Sequence, residues 1–256
     1  MASPAPNDQV RFAADEYRSY RPVWPAEVFR RVLARVGEPR ARAVDLGAGT
    51  GLVALRLLEH FQRVTAVEPD AAMLARLVCD DARLARVSAA AEAASFPEGS
   101  VDLVTAGNAF HWMDGAAVLE RAWRWLRPGG ALALFRYDPP HRAEGPLGAV
   151  LAHEYGVLWD AHVHPRLRDP DYARRTLAAS RFGPTLERVE LANPLTLTVD
   201  DLIGFSRSTS YGGGYARAQP DPEAYWRAFR ARIAAAAGAG PFRLDFRVEL
   251  LLGSRA

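Results

Sequence analysis

The sequence predicts a doubly wound α/β fold, in which an open and mostly parallel sheet carries helices on both faces. Between residues 43 and 136, five short apolar runs alternate with segments that have helical spacing or turn residues. The runs are continuously apolar, as expected for parallel strands that are buried on both faces. Strand–helix alternation of this kind is typical of doubly wound α/β sheets.

The predicted elements follow one another in a regular order over this region. Strands are predicted at 43–47, 63–68, 85–89, 101–107 and 131–136. Apolar residues recur at three and four positions in three segments, which predicts helices packed on the sheet at 50–61, 70–78 and 116–126. Arg-Pro-Gly-Gly at 127–130 predicts the end of the third helix and the turn into the fifth strand.

The regularity is lost after residue 137. Helices are predicted at 147–162 and 221–237, and a loop-rich stretch with one short helix at 163–184. Strands are predicted at 185–191, at 194–199 and, as one continuous strand, at 242–253. We therefore divide the chain into an N-terminal arm (1–30), an α/β core (31–136), a helical insertion (137–183) and a C-terminal part that completes the sheet (184–256).

Composition restricts the kind of partner. The 32 basic and 30 acidic residues leave a formal net charge of +2, without the excess of basic charge typical of nucleic-acid or membrane-surface binding. The single cysteine, Cys79, suits a reducing compartment. No apolar run approaches the roughly 20 residues of a membrane span, and residues 1–12 lack the features of a secretory signal. We expect a cytoplasmic monomer or homodimer that acts on a small molecule.

A glycine-rich loop follows the first predicted strand. Its spacing is Gly-x-Gly-x-Gly, at Gly47, Gly49 and Gly51. Such a loop lets a ligand approach the backbone closely. The dinucleotide-binding pattern is Gly-x-Gly-x-x-Gly, which would place its last glycine at position 52, where this sequence has Leu52. Asp45 would repel a pyrophosphate but suits a ligand with an ammonium group, and Glu68 ends the second strand, where an acid accepts ribose hydroxyl groups.

Two motifs carry a family resemblance. Val-Asp-Leu-Gly-Ala-Gly-Thr-Gly at 44–51, followed by Ala-Val-Glu-Pro-Asp at 66–70, resembles the signature pair of the class I S-adenosylmethionine-dependent methyltransferases. Residues 89–114 and 120–134 are similar to the next segments of that family. Residues 17–25 resemble the opening of the subgroup that includes the trans-aconitate methyltransferases.

The resemblance covers residues 17–136 and implies both fold and cofactor. The implied fold is the Rossmann-like methyltransferase fold, a doubly wound and mostly parallel seven-stranded sheet with a helical insertion that forms a substrate lid. The implied cofactor is S-adenosyl-L-methionine, bound by the α/β core. The sequence departs from the family at Ser95, where proline is usual, and at Asn108, where glutamine is frequent.

The resemblance also implies the residues that hold the cofactor. Asp45 and the glycine loop would hold the methionine moiety, and Glu68 would hold the ribose. Met73 would pack on the adenine, or serve only as a core residue of its helix. The full set of cofactor-binding residues is Tyr20, Arg21, Asp45, Gly47, Ala48, Gly49, Thr50, Gly51, Glu68, Pro69, Met73, Ala91, Glu92, Asn108 and Ala109.

The reaction chamber is predicted beside the loop that follows the fourth strand. His111 is the candidate catalytic base if the acceptor is a hydroxyl or phenol group. With a carboxylate acceptor it would only orient the substrate, and a hydrogen bond to the scaffold is the third interpretation. The candidate substrate-binding residues are Tyr17, Trp24, Phe110, Trp112, Tyr137 and Tyr211. No metal is predicted, because Val157 breaks the His-Glu-x-x-His pattern that begins at His153.

The predicted function is therefore methyl transfer from S-adenosylmethionine to a small molecule, at a carboxylate or hydroxyl oxygen, with nitrogen or carbon as further acceptor atoms. The main alternative is an S-adenosylmethionine-binding enzyme of specialised metabolism that catalyses a non-methylating reaction, such as a cyclisation. A nicotinamide oxidoreductase is a third hypothesis, against which Leu52 argues.

Overall fold

A computed structural model describes residues 14–140, 143–238 and 240–256. The chain divides into two compact units. The sheet unit consists of Trp24–Tyr137, Asp169–Leu191 and Val248–Ala256, and the helical unit consists of the described parts of 1–23, 138–168 and 192–247. The boundary between Arg168 and Asp169 divides the predicted insertion 137–183 between the two units, so its role as a substrate lid stays a prediction.

The sheet unit contains a seven-stranded sheet. Numbered in chain order, its strands are β1 (Arg42–Leu46), β2 (Arg63–Val67), β3 (Leu84–Val87), β4 (Val101–Gly107), β5 (Leu126–Tyr137), β6 (Glu187–Leu191) and β9 (Val248–Ser254). Their order is β3-β2-β1-β4-β5-β9-β6, and β1 to β5 are parallel. β9 runs antiparallel to both β5 and β6. The predicted doubly wound, mostly parallel sheet of seven strands is confirmed.

Helices cover this sheet and build most of the helical unit. The sheet unit contains α2 (Ala26–Val36), α3 (Ala54–Leu57), α4 (Ala71–Ala75), α5 (Gly115–Trp125) and α8 (Tyr172–Ala178). The helical unit contains α1 (Ala14–Tyr20), α6 (Gly145–His153), α7 (Pro165–Arg168), α9 (Val199–Ser208), α10 (Ser210–Arg217) and α11 (Pro222–Ala237), with the antiparallel pair β7 (Pro194–Leu197) and β8 (Phe242–Asp245). No helix in the described ranges is both long and apolar enough to span a membrane.

Side-chain caps fix the starts of two helices of the sheet unit, α4 and α5. Asp70 caps α4 by accepting the N–H groups of Ala72 and Met73, and Asp114 caps α5 by accepting that of Ala117. One core cluster joins buried side chains of β1, β4 and β5 to the apolar face of α5. The apolar runs of β1 and β4 thus form buried strands, as predicted, whereas β3 at the edge of the sheet exposes Ala85 and Arg86.

Two predicted helices are shorter than expected. The helix predicted at 50–61 is reduced to α3, because Gly51 has a φ of +88°, outside the helical region, and the chain makes turns on both sides of α3. The helix predicted at 70–78 ends at Ala75, where Arg76 and Leu77 donate N–H groups three residues back rather than four.

Three further boundaries differ from the prediction. Residues 127–130 do not form a separate turn but belong to β5, with Gly129 at a φ of +75° and a shift in the β4–β5 register. The helix predicted at 147–162 is α6 followed by a π-helical turn and a 3₁₀ turn. The strand predicted at 242–253 is broken at Phe246, whose N–H group donates to the Asn193 carbonyl, so that β8 and β9 join different sheets.

Candidate functional site

The candidate site lies at the carboxyl ends of three neighbouring strands. β1 lies between β2 and β4, with Leu46 opposite Val67 and Asp45 opposite Thr105. The loops that follow these strands therefore leave the sheet at one edge, where doubly wound folds hold their ligands. These loops carry most of the predicted site residues of the sheet unit.

The glycine loop adopts a backbone that other residues rarely adopt. Gly47, Gly49 and Gly51 have φ angles of +63°, +56° and +88°. A Cβ atom at Gly47 would lie 2.4 Å from that of Ala109, and the space beside Gly51 is filled by a side-chain methyl of Leu77. The N–H group of Ala48 donates to the Val67 carbonyl over 3.0 Å, which ties the loop to β2. All three glycines are thus required by conformation, and Gly47 and Gly51 are also required by close packing.

Glu68 joins the glycine loop to the loop after β2. Its carboxylate Oε2 accepts the N–H group of Gly49 at 2.8 Å, and Oε1 accepts that of Asp70 at 3.0 Å. The residue is 8% exposed, and this burial raises the pKa of the carboxyl group, while the two N–H groups act in the opposite direction. Each carboxylate oxygen keeps a further lone pair with which it can accept a hydroxyl group from a ligand.

Asp45 and Thr50 carry buried polar atoms that lack a partner. Asp45 is 1% exposed, and its Oδ1 accepts the hydroxyl group of Thr105 at 2.7 Å, whereas its Oδ2 has no hydrogen bond. The Thr50 Oγ1 atom is also buried without a partner. Burial raises the pKa of Asp45 to about 7, although the Thr105 hydroxyl and the Ala54 N–H group favour the carboxylate. Buried polar groups are normally hydrogen-bonded, so these two atoms indicate a ligand.

The residues present fit a ligand that carries an ammonium group and a ribose. An ammonium group would donate to the Asp45 Oδ2 atom and neutralise its charge. Ribose hydroxyl groups would donate to Glu68, which also accepts the N–H group of Gly49 in the glycine loop. Among the described residues, no group of three or more histidine, cysteine, aspartate or glutamate side chains could hold a metal ion.

The buried Asp45 has a consequence for the pH dependence of stability. Its pKa of about 7 in the folded protein lies above the ordinary value of 3.8, so the folded state binds its proton more tightly than the unfolded state. This stabilisation is fully present below pH ~4 and is lost as the pH rises through ~7. We expect Asp45→Asn to reduce the fall in unfolding free energy between pH 5 and pH 8 by about 2 to 3 kcal/mol. Urea unfolding at both pH values measures this, and an unchanged fall in the variant would contradict it.

The loop after β4 is held at its start by Asn108. This residue has a φ of +53°, its N–H group donates to the Phe135 carbonyl at 2.8 Å, and its side-chain oxygen accepts the N–H group of Tyr137 at 3.3 Å. Ala109 is buried beside Gly47. The side-chain oxygen of Asn108 thus already has a backbone partner, and its contact with a cofactor stays a prediction.

The aromatic residues of this loop differ in burial. Phe110 is 5% exposed and packs in the core, 5.9 Å from the ring of Tyr172 between centroids. His111 and Trp112 are half-buried in the 3₁₀ turn Phe110–Trp112, with their ring centroids 4.9 Å apart. His111 and Trp112 are therefore better placed to meet a substrate than Phe110, but all three roles stay predictions.

The loop after β3 brings a contact that the sequence did not indicate. Glu92, predicted at the adenine edge, accepts the N–H group of Asp114 at 2.6 Å and so links this loop to the start of α5. Ala91 and Met73 are buried, and Pro69 is exposed at the end of β2. The predicted adenine contacts of these residues stay predictions.

Two predicted substrate residues meet in the sheet unit. The ring of Trp24 packs edge-on against Phe135 at 4.7 Å and lies 5.2 Å from Tyr137 between centroids. Trp24 is 8% and Tyr137 is 7% exposed. This packing explains their burial without a substrate, so their substrate contacts stay predictions.

The remaining predicted residues, Tyr17, Tyr20, Arg21 and Tyr211, belong to the helical unit. Arg21 donates to the Ser208 carbonyl at 2.7 Å, and its guanidinium group lies 4.2 Å from the centre of the Tyr17 ring. Tyr20 packs against Gly204, where a Cβ atom would lie 2.3 Å from the ring. Tyr211 is buried beside Tyr155 and Trp159. These contacts stabilise the helical unit, and the predicted ligand contacts of the four residues stay predictions.

Thr105 is the residue of the site that the sequence interpretation missed. It is 1% exposed and holds the Oδ1 atom of Asp45 from the neighbouring strand. The available signal was a hydroxyl residue within the continuous apolar run 101–107, because a buried hydroxyl group normally has a partner.

Comparisons with known proteins agree with this geometry. A family model described as a methyltransferase domain matches residues 44–134. An uncharacterised methyltransferase of Mycobacterium tuberculosis is 36% identical over 199 residues, which cover 78% of this chain and 75% of the relative. A solved structure from Anaeromyxobacter dehalogenans, assigned as a type II methyltransferase, is 26% identical with a TM-score of 0.74, over 93% of this chain and 99% of that one.

Two shorter matches carry names that state an acceptor. The trans-aconitate 2-methyltransferase of Deinococcus radiodurans is 35% identical over 126 residues, 47% of each protein. The tRNA 5-carboxymethoxyuridine methyltransferase of Escherichia coli is 33% identical over 117 residues, 42% of this chain and 44% of the relative.

The strand order and the glycine loop at the strand ends define a ligand-binding protein of the doubly wound α/β class. Within this class, the chain belongs to the class I S-adenosylmethionine-dependent methyltransferases. The predicted family is thereby confirmed, and the protein is an S-adenosylmethionine-dependent methyltransferase.

Proposed function

We propose that this methyltransferase binds S-adenosylmethionine at the carboxyl ends of β1, β2 and β4 and methylates a small-molecule acceptor at a carboxylate or hydroxyl oxygen. The observation that carries the cofactor site is the buried Oδ2 atom of Asp45, which has no partner, together with the buried carboxylate of Glu68. When bound, S-adenosylmethionine supplies a methyl group that its sulfonium centre activates toward nucleophiles.

The residues of the sheet unit act mainly by binding and orientation. Asp45 binds the ammonium group and Glu68 the ribose, and the positive φ angles of Gly47, Gly49 and Gly51 set the backbone of the loop between them. Methyl transfer needs an in-line approach of the acceptor, so positioning supplies most of the catalysis. The half-buried His111 and Trp112 are the residues that we expect beside the acceptor.

Two observations support a small molecule with an oxygen acceptor. The formal net charge of +2 lacks the basic excess typical of nucleic-acid binding. The name of the Deinococcus radiodurans relative states a small carboxylate substrate. A tRNA acceptor is the second candidate, because the name of the Escherichia coli relative states one. Nitrogen and carbon are the further acceptor atoms.

Calorimetric titration tests the cofactor, with S-adenosylhomocysteine as the ligand and NAD as the control. We expect micromolar binding of S-adenosylhomocysteine and none of NAD. Absence of binding for S-adenosylhomocysteine would contradict the proposed site. Mass spectrometry of acceptor mixtures, with unmodified tRNA as a separate sample, then tests the acceptor: a product heavier by one CH₂ supports methylation, whereas a product of unchanged mass supports a cyclisation.

His111→Ala provides a test of the reaction chamber once an acceptor is found. If His111 accepts a proton from a hydroxyl acceptor, we expect kcat to fall about 100-fold, with loss of the corresponding limb of the pH–rate profile. His60→Ala is the matched control, because His60 lies outside the three loops of the site. A raised KM with unchanged kcat would assign His111 to substrate positioning.

A further inference from the structure

Thr105 occupies a distinctive place in the sheet. It lies within β4, whose residues Val101–Ala106 are buried, and it is the register partner of Asp45 on β1. Its hydroxyl group lies 2.7 Å from the Asp45 Oδ1 atom and 3.5 Å from the Val44 carbonyl oxygen. Both side chains are 1% exposed. Because the Val44 contact is long, the hydroxyl proton belongs to the hydrogen bond with Asp45.

We propose that Thr105 is a positioning residue for the cofactor: its hydroxyl group holds one carboxylate oxygen of Asp45 and so directs the other toward the ammonium group of S-adenosylmethionine. This inference rests on the proposed function of the site. The carboxylate of an aspartate rotates broadly about χ2, and a fixed partner on Oδ1 restricts that rotation. Oδ2, which has no partner, is then held in one orientation before the ligand arrives.

The same hydrogen bond helps to keep Asp45 ionised in a buried position. Burial raises the pKa of Asp45, and the charge of Glu68 at the end of β2 raises it further. The Thr105 hydroxyl on β4 and the Ala54 N–H group on α3 lower the pKa. Among the described residues, Glu68 is the charged group that acts on Asp45. Loss of the hydroxyl group therefore moves the pKa of Asp45 upward, and the carboxylate that binds the ammonium group forms only at higher pH.

The experiment compares Thr105→Val with Thr105→Ser. Valine keeps the shape of threonine without the hydroxyl group, whereas serine keeps the hydroxyl group. For each protein, the affinity for S-adenosylhomocysteine is measured by calorimetry between pH 5.5 and pH 8. The affinity for 5′-methylthioadenosine, which has the adenine and ribose but no ammonium group, is measured in parallel. Both ligands carry the ribose, and both bind only the folded protein. The ratio of the two affinities therefore cancels the effect of Glu68 titration and of any loss of folded protein.

We expect this ratio to fall as the pH drops through about 7 in the wild type. In Thr105→Val the midpoint should move to higher pH and the ratio at pH 7.5 should fall about fivefold, while Thr105→Ser should follow the wild type. An unchanged midpoint and ratio in Thr105→Val would overturn the inference. If valine prevents folding, Thr105→Ala removes the hydroxyl group with less volume. Failure of the wild type to bind S-adenosylhomocysteine would instead refute the proposed function.

Discussion

Replacement of Glu68 with alanine should weaken the binding of S-adenosylhomocysteine about 100-fold. Two hydrogen bonds from ribose hydroxyl groups to a buried carboxylate contribute roughly 3 kcal/mol together, which corresponds to about two orders of magnitude in Kd. The variant also removes the acceptor for the N–H groups of Gly49 and Asp70, which loosens the glycine loop. Calorimetric titration at pH 8, above the pKa of about 7 of Asp45, measures the loss.

A double-mutant cycle separates the ribose contact from the loop effect. The wild type and the Glu68→Ala variant are each titrated with S-adenosylhomocysteine and with its 2′,3′-dideoxy derivative. We expect the variant to bind both ligands with similar affinity, because it cannot use the hydroxyl groups. Glu68→Gln keeps one acceptor oxygen, so its affinity for S-adenosylhomocysteine should lie between those of the wild type and Glu68→Ala. If the wild type also binds both ligands equally, Glu68 serves only to hold the glycine loop.

The second large effect is expected from Gly47→Ala, which should lower the unfolding free energy by about 3 kcal/mol. At a φ of +63° an alanine is strained by roughly 1 to 2 kcal/mol. Its Cβ atom would also lie 2.4 Å from that of Ala109, which forces the glycine loop and the loop after β4 apart. Urea unfolding measures the stability, and calorimetric titration with S-adenosylhomocysteine measures the damage to the site.

Gly99→Ala is the control for this substitution. Gly99 has a similar φ of +66°, but a Cβ atom there would meet nothing within 4 Å. The difference between the two variants therefore reports on the contact with Ala109, and Ala109→Gly in the Gly47→Ala background should restore part of the stability. Equal losses in Gly47→Ala and Gly99→Ala would show that the close approach of the two loops contributes nothing.

Much of the sheet unit could be predicted because its signals are local. Continuous apolar runs between helical segments indicate buried parallel strands, and the strands β1 to β4 lie within one or two residues of the predicted bounds. Asp70 and Asp114 cap the helices that follow them, since a cap contacts only its own first turn. The glycine spacing at 47–51 is likewise a local signal, because each of these glycines adopts a positive φ angle.

The prediction was wrong where a partner distant in sequence decides the structure. Residues 242–253 have the composition of one strand, yet β8 pairs with β7 while β9 pairs with β5 and β6. The break at Phe246 follows from a hydrogen bond to Asn193, which no local pattern reveals. The helix predicted at 50–61 was too long for a related reason. The glycine loop is held by a hydrogen bond to β2 and by the contact with Ala109 after β4, and its backbone replaces the first turn of the predicted helix.

The sequence by itself determined the class of fold, the family and the glycine loop after the first strand, because apolar periodicity, glycine spacing and motif order are properties of short segments. Only the tertiary structure decided how the acidic residues of the site are held. Asp45 and Thr105 are 60 residues apart in the chain, and Glu92 and Asp114 are 22 apart. Such pairs meet only after the strands have assembled, because hydrogen bonds and burial are set by neighbours in space rather than by neighbours along the chain.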